Sequence, residues 1–153
     1  MPSLSLSSPI GRLTLSESAG ALVSLEIGGE AAHDDSPLLR RAKAELEAYF
    51  ARRRLGFDLP LAPRGTPFQL KLWQALSAIP YGELRTYGEL AALLKSVPRA
   101  IGGACGRNPI PIIIPCHRVV AAGSLGGFSG GAGIATKRKL LALERSEALA
   151  SHP

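Results

Sequence analysis

The stretch Thr86-Tyr87-Gly88-Glu89-Leu90-Ala91-Ala92-Leu93-Leu94-Lys95-Ser96-Val97-Pro98-Arg99-Ala100-Ile101-Gly102-Gly103-Ala104-Cys105-Gly106-Arg107 reads as two short helices around a three-residue break. Thr86 and Glu89 form a capping box that starts the first helix, and Leu90, Ala91, Leu93 and Leu94 follow as its apolar residues. The second helix runs from Pro98 to Cys105 and ends at Gly106, giving the outline of a helix-turn-helix. Ala100, Gly102, Gly103 and Ala104 make that second helix slim at the expense of helix propensity, and Arg99 and Arg107 bracket it with positive charge. Two readings stand: small residues let a polyanion backbone come close, or they let helices pack closely. Cys105, in the same helix, reads as a packing residue.

Working toward the N-terminus, Thr66-Pro67-Phe68-Gln69 opens another capped helix whose stripe of Phe68, Leu72, Trp73 and Leu76 is buried; Trp73 belongs to core. Residues 55–64, rich in Pro and Leu without a sustained period, read as a linker. Before it, Ser36-Pro37 starts a helix with Leu39, Ala42, Leu46, Tyr49 and Phe50 on one face, and Arg52-Arg53-Arg54 closes it toward solvent. Alternating leucines at 4, 6, 13, 15, 22 and 25, broken at Pro9-Ile10-Gly11 and Ser18-Ala19-Gly20, predict a short antiparallel meander. The fold class expected is α+β: a small N-terminal α/β domain of antiparallel sheet plus helix over residues 1–64, then a mostly helical domain over 65–153 with a winged-helix-like helix-turn-helix.

Toward the C-terminus, Asn108-Pro109-Ile110-Pro111-Ile112-Ile113-Ile114-Pro115-Cys116 predicts an apolar, β-branched strand running into Cys116, with a further strand leaving it through Val119-Val120. Residues 123–133 form a glycine-rich loop, and residues 136–144 a last helix with Leu140, Leu141 and Leu143 for burial. Lys137-Arg138-Lys139 reads equally as a phosphate-facing edge or as a solvated helix face.

Charge separates the two parts. Residues 1–64 carry eight basic and eight acidic side chains, whereas residues 65–153 carry ten against four, so the whole net charge of +6 belongs to the second part. A basic region of this kind favours polyanionic partners. No basic start followed by an apolar run marks a signal peptide and no stretch is long enough to span a bilayer, which gives the expectation of a cytoplasmic protein with no membrane partner. Two cysteines are too few for a disulfide scaffold and lack the partners of a zinc site, so no metal or cofactor is expected.

Cys116 is followed by His117, and Glu144 is a lone carboxylate on the closing helix. A thiol becomes a strong nucleophile only as thiolate, which a histidine oriented by an acid can supply. Adjacent residues of an extended chain point to opposite sides, so this pair needs a bend or a bridging water.

The run Ile114-Pro115-Cys116-His117-Arg118-Val119 resembles the signature of the O6-alkylguanine-DNA alkyltransferases, also called methylated-DNA-protein-cysteine methyltransferases. Thr66-Pro67-Phe68-Gln69, Trp73, Ile79-Pro80-Tyr81-Gly82, Thr86-Tyr87, Pro98-Arg99-Ala100, Asn108-Pro109, the glycines of residues 126–131 and residues 140–144 follow in the family's order and at nearly its spacing. Residues 1–64 agree only as the family's variable, ribonuclease-H-like N-terminal domain.

The resemblance implies single-turnover repair of double-stranded DNA: Cys116 takes the alkyl group from O6-alkylguanine, with His117 as its base through a water and Glu144 holding His117. O4-alkylthymine is left open as a substrate. It further implies that Arg99 replaces the flipped base in the stack, that Tyr87 crowds the target phosphate and donates to the guanine ring nitrogen, and that Asn108 is the hinge beside the reactive cysteine. The Cys116 and Val119 carbonyls would read the guanine amino edge, and Ser129 would sit at O6. Thr86, Arg99, Ala100, Gly102, Gly103 and Arg107 would face DNA from its minor groove, the protein acting as a monomer, with clustering along DNA left open. One departure stands out: Phe128 occupies the place where the family commonly has Tyr, so a donor is lost from the guanine pocket and slower or differently selective transfer is expected. The alternative reading is a non-catalytic sensor of alkylated DNA that recruits other repair factors. Such relatives have lost the cysteine, which this chain keeps. A thiol hydrolase would share Cys and His but leaves the slim helix and the basic half unexplained.

Overall fold

The computed structural model describes residues 1–128 and 130–144. Strands β1 (Ser3–Ser8), β2 (Gly11–Ser18) and β3 (Ala21–Ile27) form the expected antiparallel meander in that order. Its register sets Leu6 opposite Leu13 and Leu15 opposite Leu25, which gathers leucines on one face. Ala19 and Gly20 both take positive φ at the second hairpin, the conformation that matches a two-residue turn to strand twist.

Helix α1 (Pro37–Phe50) covers that apolar face. Its N-cap is Ser36, whose hydroxyl accepts from Leu39 N at 3.0 Å, and its buried stripe is Leu39, Ala42, Leu46 and Tyr49. Arg54 turns back to pair with Glu45 at 3.2 Å, while Arg52 and Arg53 stay in solvent.

The segment read as a linker is strapped to the sheet. Leu22 N donates to Pro60 O and Ala62 N donates to Leu22 O, at 2.9 and 2.8 Å, so the free edge of β3 is covered. Leu25 N on the same edge donates to Pro109 O at 2.8 Å, a bond between the sheet and the second half of the chain. Buried residues from Leu6 to Leu140 form one contiguous hydrophobic core across both parts.

In the second part, α2 (Pro67–Ser77) and α3 (Tyr87–Leu94) both start with complete capping boxes, Thr66/Gln69 and Thr86/Glu89. α3 ends at Lys95 in the left-handed conformation, and α4 (Pro98–Cys105) follows, ending at Gly106. Trp73 is buried as expected, and its indole N–H donates to Ala104 O at 3.0 Å, fixing α2 against α4. The short strands β4 (Arg85–Thr86) and β5 (Val119–Val120) pair in parallel, and α5 (Ile134–Leu143) closes the chain's described part.

The strand expected over residues 108–116 does not form. Pro109, Pro111 and Pro115 each lack the N–H that a ladder needs, and the chain instead makes a compact turn. Ile114 N donates to Ile110 O at 2.9 Å, and Ile112, a buried β-branched residue, is held at φ 75. A single turn of 3-10 helix over Cys116–Arg118 then leads into β5. Among the described residues, no helix is long and apolar enough to cross a membrane.

Candidate active site

The bend that Cys116 and His117 require is supplied by that 3-10 turn. Cys116 is 8% exposed and lines a cleft of about 610 Å³ whose walls include Tyr87, Arg99, Cys105 and Phe128. His117 is fully buried, and its Nε2 lies 2.7 Å from Glu144 Oε2. With Nε2 donating to the carboxylate, Nδ1 is left as the acceptor nitrogen. Nδ1 is buried and has no hydrogen-bond partner among the described residues.

Glu144 is tied down from several sides. Arg118 approaches side-on, Nε to Oε1 at 2.8 Å and NH2 to Oε2 at 2.9 Å, and its NH1 donates to Ile79 O at 2.7 Å. The Tyr49 hydroxyl donates to Oε2 at 2.6 Å. Burial pushes the Glu144 carboxyl up, but the hydrogen bonds from His117 and Arg118 and the charge of Arg118 outweigh it and hold the acid down at about 2. It is therefore a permanent anion at neutral pH.

Burial acts on the other two members in the direction of neutrality. It pushes the Cys116 thiol up, against an Asn108 hydrogen bond and the charge of Lys137, and it pulls His117 down despite Glu144. At neutral pH the free protein thus holds a thiol and a neutral imidazole.

Asn108 is built into the turn below the thiol: its Nδ2 donates to Ile114 O at 2.8 Å and its Oδ1 accepts from Ile110 N at 3.0 Å. Tyr87, the first residue of α3, is half-buried on the cleft wall, and burial raises its phenol. A Cβ at Gly126 would come within 2.7 Å of its ring, at φ 73, so glycine is required there for the loop to lie against Tyr87. Phe128 also lines the cleft. The expected role of Ser129 lies outside the described residues. Val119 is buried; its carbonyl accepts from Lys137, and the Cys116 carbonyl accepts from Val119 N, which leaves each a second lone pair.

Arg99 is exposed at the rim of the cleft, near the start of α4, and Arg107 is exposed beyond its end. Thr86 caps α3 and is half-buried, as are Ala100 and Gly102; Gly103 is exposed. The packing explanation holds for Ala104, which is buried against Trp73, and not for the two glycines. A Cβ at Gly103 would meet nothing within 4 Å, and one at Gly102 would make only ordinary contact with Tyr87 at 3.9 Å. Cys105 packs against the core as expected, but it also forms part of the cleft wall, where burial pushes its thiol up to about 12.

Within the Lys137-Arg138-Lys139 run, Lys137 alone departs from both readings offered for it. Arg138 and Lys139 are exposed, but Lys137 is fully buried, donating to the carbonyls of Val119, Leu125 and Gly127 at 2.6, 2.5 and 3.1 Å. Burial lowers its ammonium to about 8. Its spacing from Leu140 and Leu141 places it on the apolar stripe of α5, a signal legible in the sequence and masked by the two basic neighbours. Arg118 and Tyr49 were not singled out by sequence either; Tyr49 looks like any aromatic on an amphipathic face. Among the described residues, no three His, Cys, Asp or Glu side chains are grouped to hold a metal ion.

Comparison with known proteins gives concordant results. Residues 67–146 match the family model described as 6-O-methylguanine DNA methyltransferase, DNA binding domain, and residues 4–63 match that of the same family's ribonuclease-like domain. The constitutive methylated-DNA-protein-cysteine methyltransferase of Bacillus subtilis is 41% identical over 90% of this chain and 91% of its own. The corresponding Mycobacterium tuberculosis protein is 44% identical over 94% and 92%. A crystal structure of Mycobacterium tuberculosis OGT in complex with DNA superposes with a TM-score of 0.86 at 43% identity, covering 95% of this chain and 94% of that one. With two matched models covering most of its length and relatives of this similarity, the chain belongs to the 6-O-methylguanine DNA methyltransferase family.

Proposed function

We propose that this protein repairs duplex DNA by moving an alkyl group from O6 of guanine to the Sγ of Cys116, once per molecule. The observation that carries the reading is the buried relay beside the cleft: an anionic carboxylate fixes Nε2 of His117 and leaves Nδ1 free to take the thiol proton through a water. The Sγ–C bond forms as the C–O6 bond breaks, and the electrons of the broken bond pass to the guanine. Tyr87, on the cleft wall, supplies a proton to the ring nitrogen and is restored through solvent. The thioether has no hydrolytic route back to thiol, so the protein is consumed.

The target base has to leave the helix to reach a thiol that is 8% exposed, at a cost of a few kcal/mol. Arg99 at the cleft rim enters the stack in its place, and the bare face of α4 around Gly102 and Gly103 meets the minor groove. Arg107 contacts phosphate. Phe128 stacks on the extruded guanine without a hydroxyl to donate. The protein works as a monomer on DNA. A sensor that only bound the lesion would have no use for a carboxylate-imidazole pair next to a cysteine that lines the cleft.

The test is incubation with a duplex carrying O6-methylguanine, followed by mass spectrometry. One added methyl on Cys116, at no more than one equivalent, is expected; repeated turnover, or no adduct, overturns the reading. Cys116→Ser stops transfer while leaving DNA affinity largely intact. Arg99→Ala slows repair of duplex more than reaction with the free base, and equal losses on both remove Arg99 from the flipping role.

A further inference from the structure

Glu144 Oε2 is a crowded atom. It accepts from His117 Nε2 at 2.7 Å, from Arg118 NH2 at 2.9 Å and from the Tyr49 hydroxyl at 2.6 Å, while Oε1 takes Arg118 Nε. These bonds use about the four acceptor sites that a carboxylate offers. Two of the donors come from the turn that carries the thiol. The third, Tyr49, comes from α1, 95 residues away in sequence, and is fully buried.

A buried phenol needs a partner, and a backbone carbonyl would satisfy it. This one instead shares a single oxygen with the imidazole. Two donors on one oxygen compete: charge drawn toward the phenol is charge withdrawn from the His117 contact. The ring itself is held by edge contacts with Phe50 at 5.1 Å and Tyr81 at 6.2 Å and by a tilted contact with Phe57 at 5.4 Å, so the hydroxyl has a fixed aim.

We infer that Tyr49 is a positioning residue for alkyl transfer, its hydroxyl setting how strongly Glu144 holds His117 and thereby coupling the N-terminal half of the chain to the reacting thiol. The inference rests on the proposal that His117 is the base for Cys116. The other groups facing this pair are Arg118 on Glu144, Tyr81, whose ring lies 5.7 Å from the Arg118 guanidinium carbon and whose hydroxyl donates to Leu143 O, and the Lys137 ammonium, whose charge acts on His117. Arg118 and Lys137 disfavour an imidazolium and Glu144 favours it. Removing the Tyr49 hydroxyl concentrates the carboxylate charge on His117 and makes Nδ1 a stronger base.

The test uses the full chain with Tyr49→Phe, which deletes one oxygen and keeps the ring. Two quantities are read: the pH dependence of single-turnover methyl transfer from an O6-methylguanine duplex, and the NMR titration of the His117 imidazole. The acidic limb of the rate profile and the His117 titration should both move up by roughly 0.5 to 1 pH unit. Placing 3-fluorotyrosine at position 49 strengthens the donor and should move both down, and it serves alone if Tyr49→Phe does not fold. Titrations that stay at the wild-type position in both proteins, or shift in the opposite sense, overturn the inference and leave Tyr49 a packing residue. A wild-type protein that takes no methyl on Cys116 refutes the proposed function instead, a result the imidazole titration does not depend on.

Discussion

The ammonium of Lys137 lies 2.6 Å from the carbonyl oxygen of Val119, three residues beyond Cys116, and spans from there to Leu125 and Gly127 on the glycine-rich loop. A buried side chain on α5 thus ties the backbone just after Cys116 to the glycine-rich loop, whose Gly127 lines the cleft. Its Nζ also stands 5.9 Å from the centre of the Tyr87 ring.

Lys137→Met keeps the stem and removes the donor. Each buried carbonyl left without its partner costs about 1–3 kcal/mol, so denaturant unfolding should show a clear loss of stability. Amides of residues 125–128 should exchange faster, and methyl transfer should slow by at least roughly tenfold, about 1.4 kcal/mol in the barrier. Unchanged exchange in the loop would show that the lysine does not hold it.

Acid should unfold this protein through Glu144. Its folded acid strength, about 2, lies below the ordinary 4.5, so the unfolded chain takes up the proton first as pH falls. The stabilisation is complete above about pH 5 and disappears toward pH 2; its size is on the order of 3 kcal/mol. Glu144→Gln should be less stable at neutral pH, because Arg118 is left buried without its anion, and should show a shallower decline in this window. An identical acid slope in both proteins, measured by urea unfolding at several pH values, would assign the effect to other carboxylates.

Gly103→Ala separates folding from DNA contact. Nothing in the protein lies within 4 Å of the added methyl, and alanine in a helix is more favourable than glycine by roughly 0.5–1 kcal/mol. The variant should melt at a higher temperature and bind duplex DNA more weakly, with most of the loss retained at high salt because it is steric. Undiminished binding would place α4 away from the nucleic acid.

Much of this molecule is written in local sequence. The meander follows from leucine alternation and two turns, and α2 and α3 from capping boxes that satisfy their first N–H groups within four residues. The helix-turn outline and the Cys116-His117 signature are local in the same way. What sequence pattern misjudged was the run before Cys116, where apolar β-branched residues predict a strand but three prolines and Ile112 at positive φ give a turn. Pattern reports burial; it does not count the hydrogen-bond donors a ladder needs.

The chemistry of the site was decided elsewhere. Tyr49, Ile79, Arg118 and Glu144 meet because α1 packs on the sheet, Pro109 bonds to β3 and the last helix returns beneath the turn. The sequence by itself determined the leucine meander and the capped helices, since those depend on neighbours in the chain. Only the tertiary structure decided that Lys137 is inside rather than out, which nitrogen of His117 faces the carboxylate, and that a tyrosine from the first half shares it. Those facts depend on burial and on donors brought together from positions as far as 95 residues apart, and no local pattern encodes such a meeting.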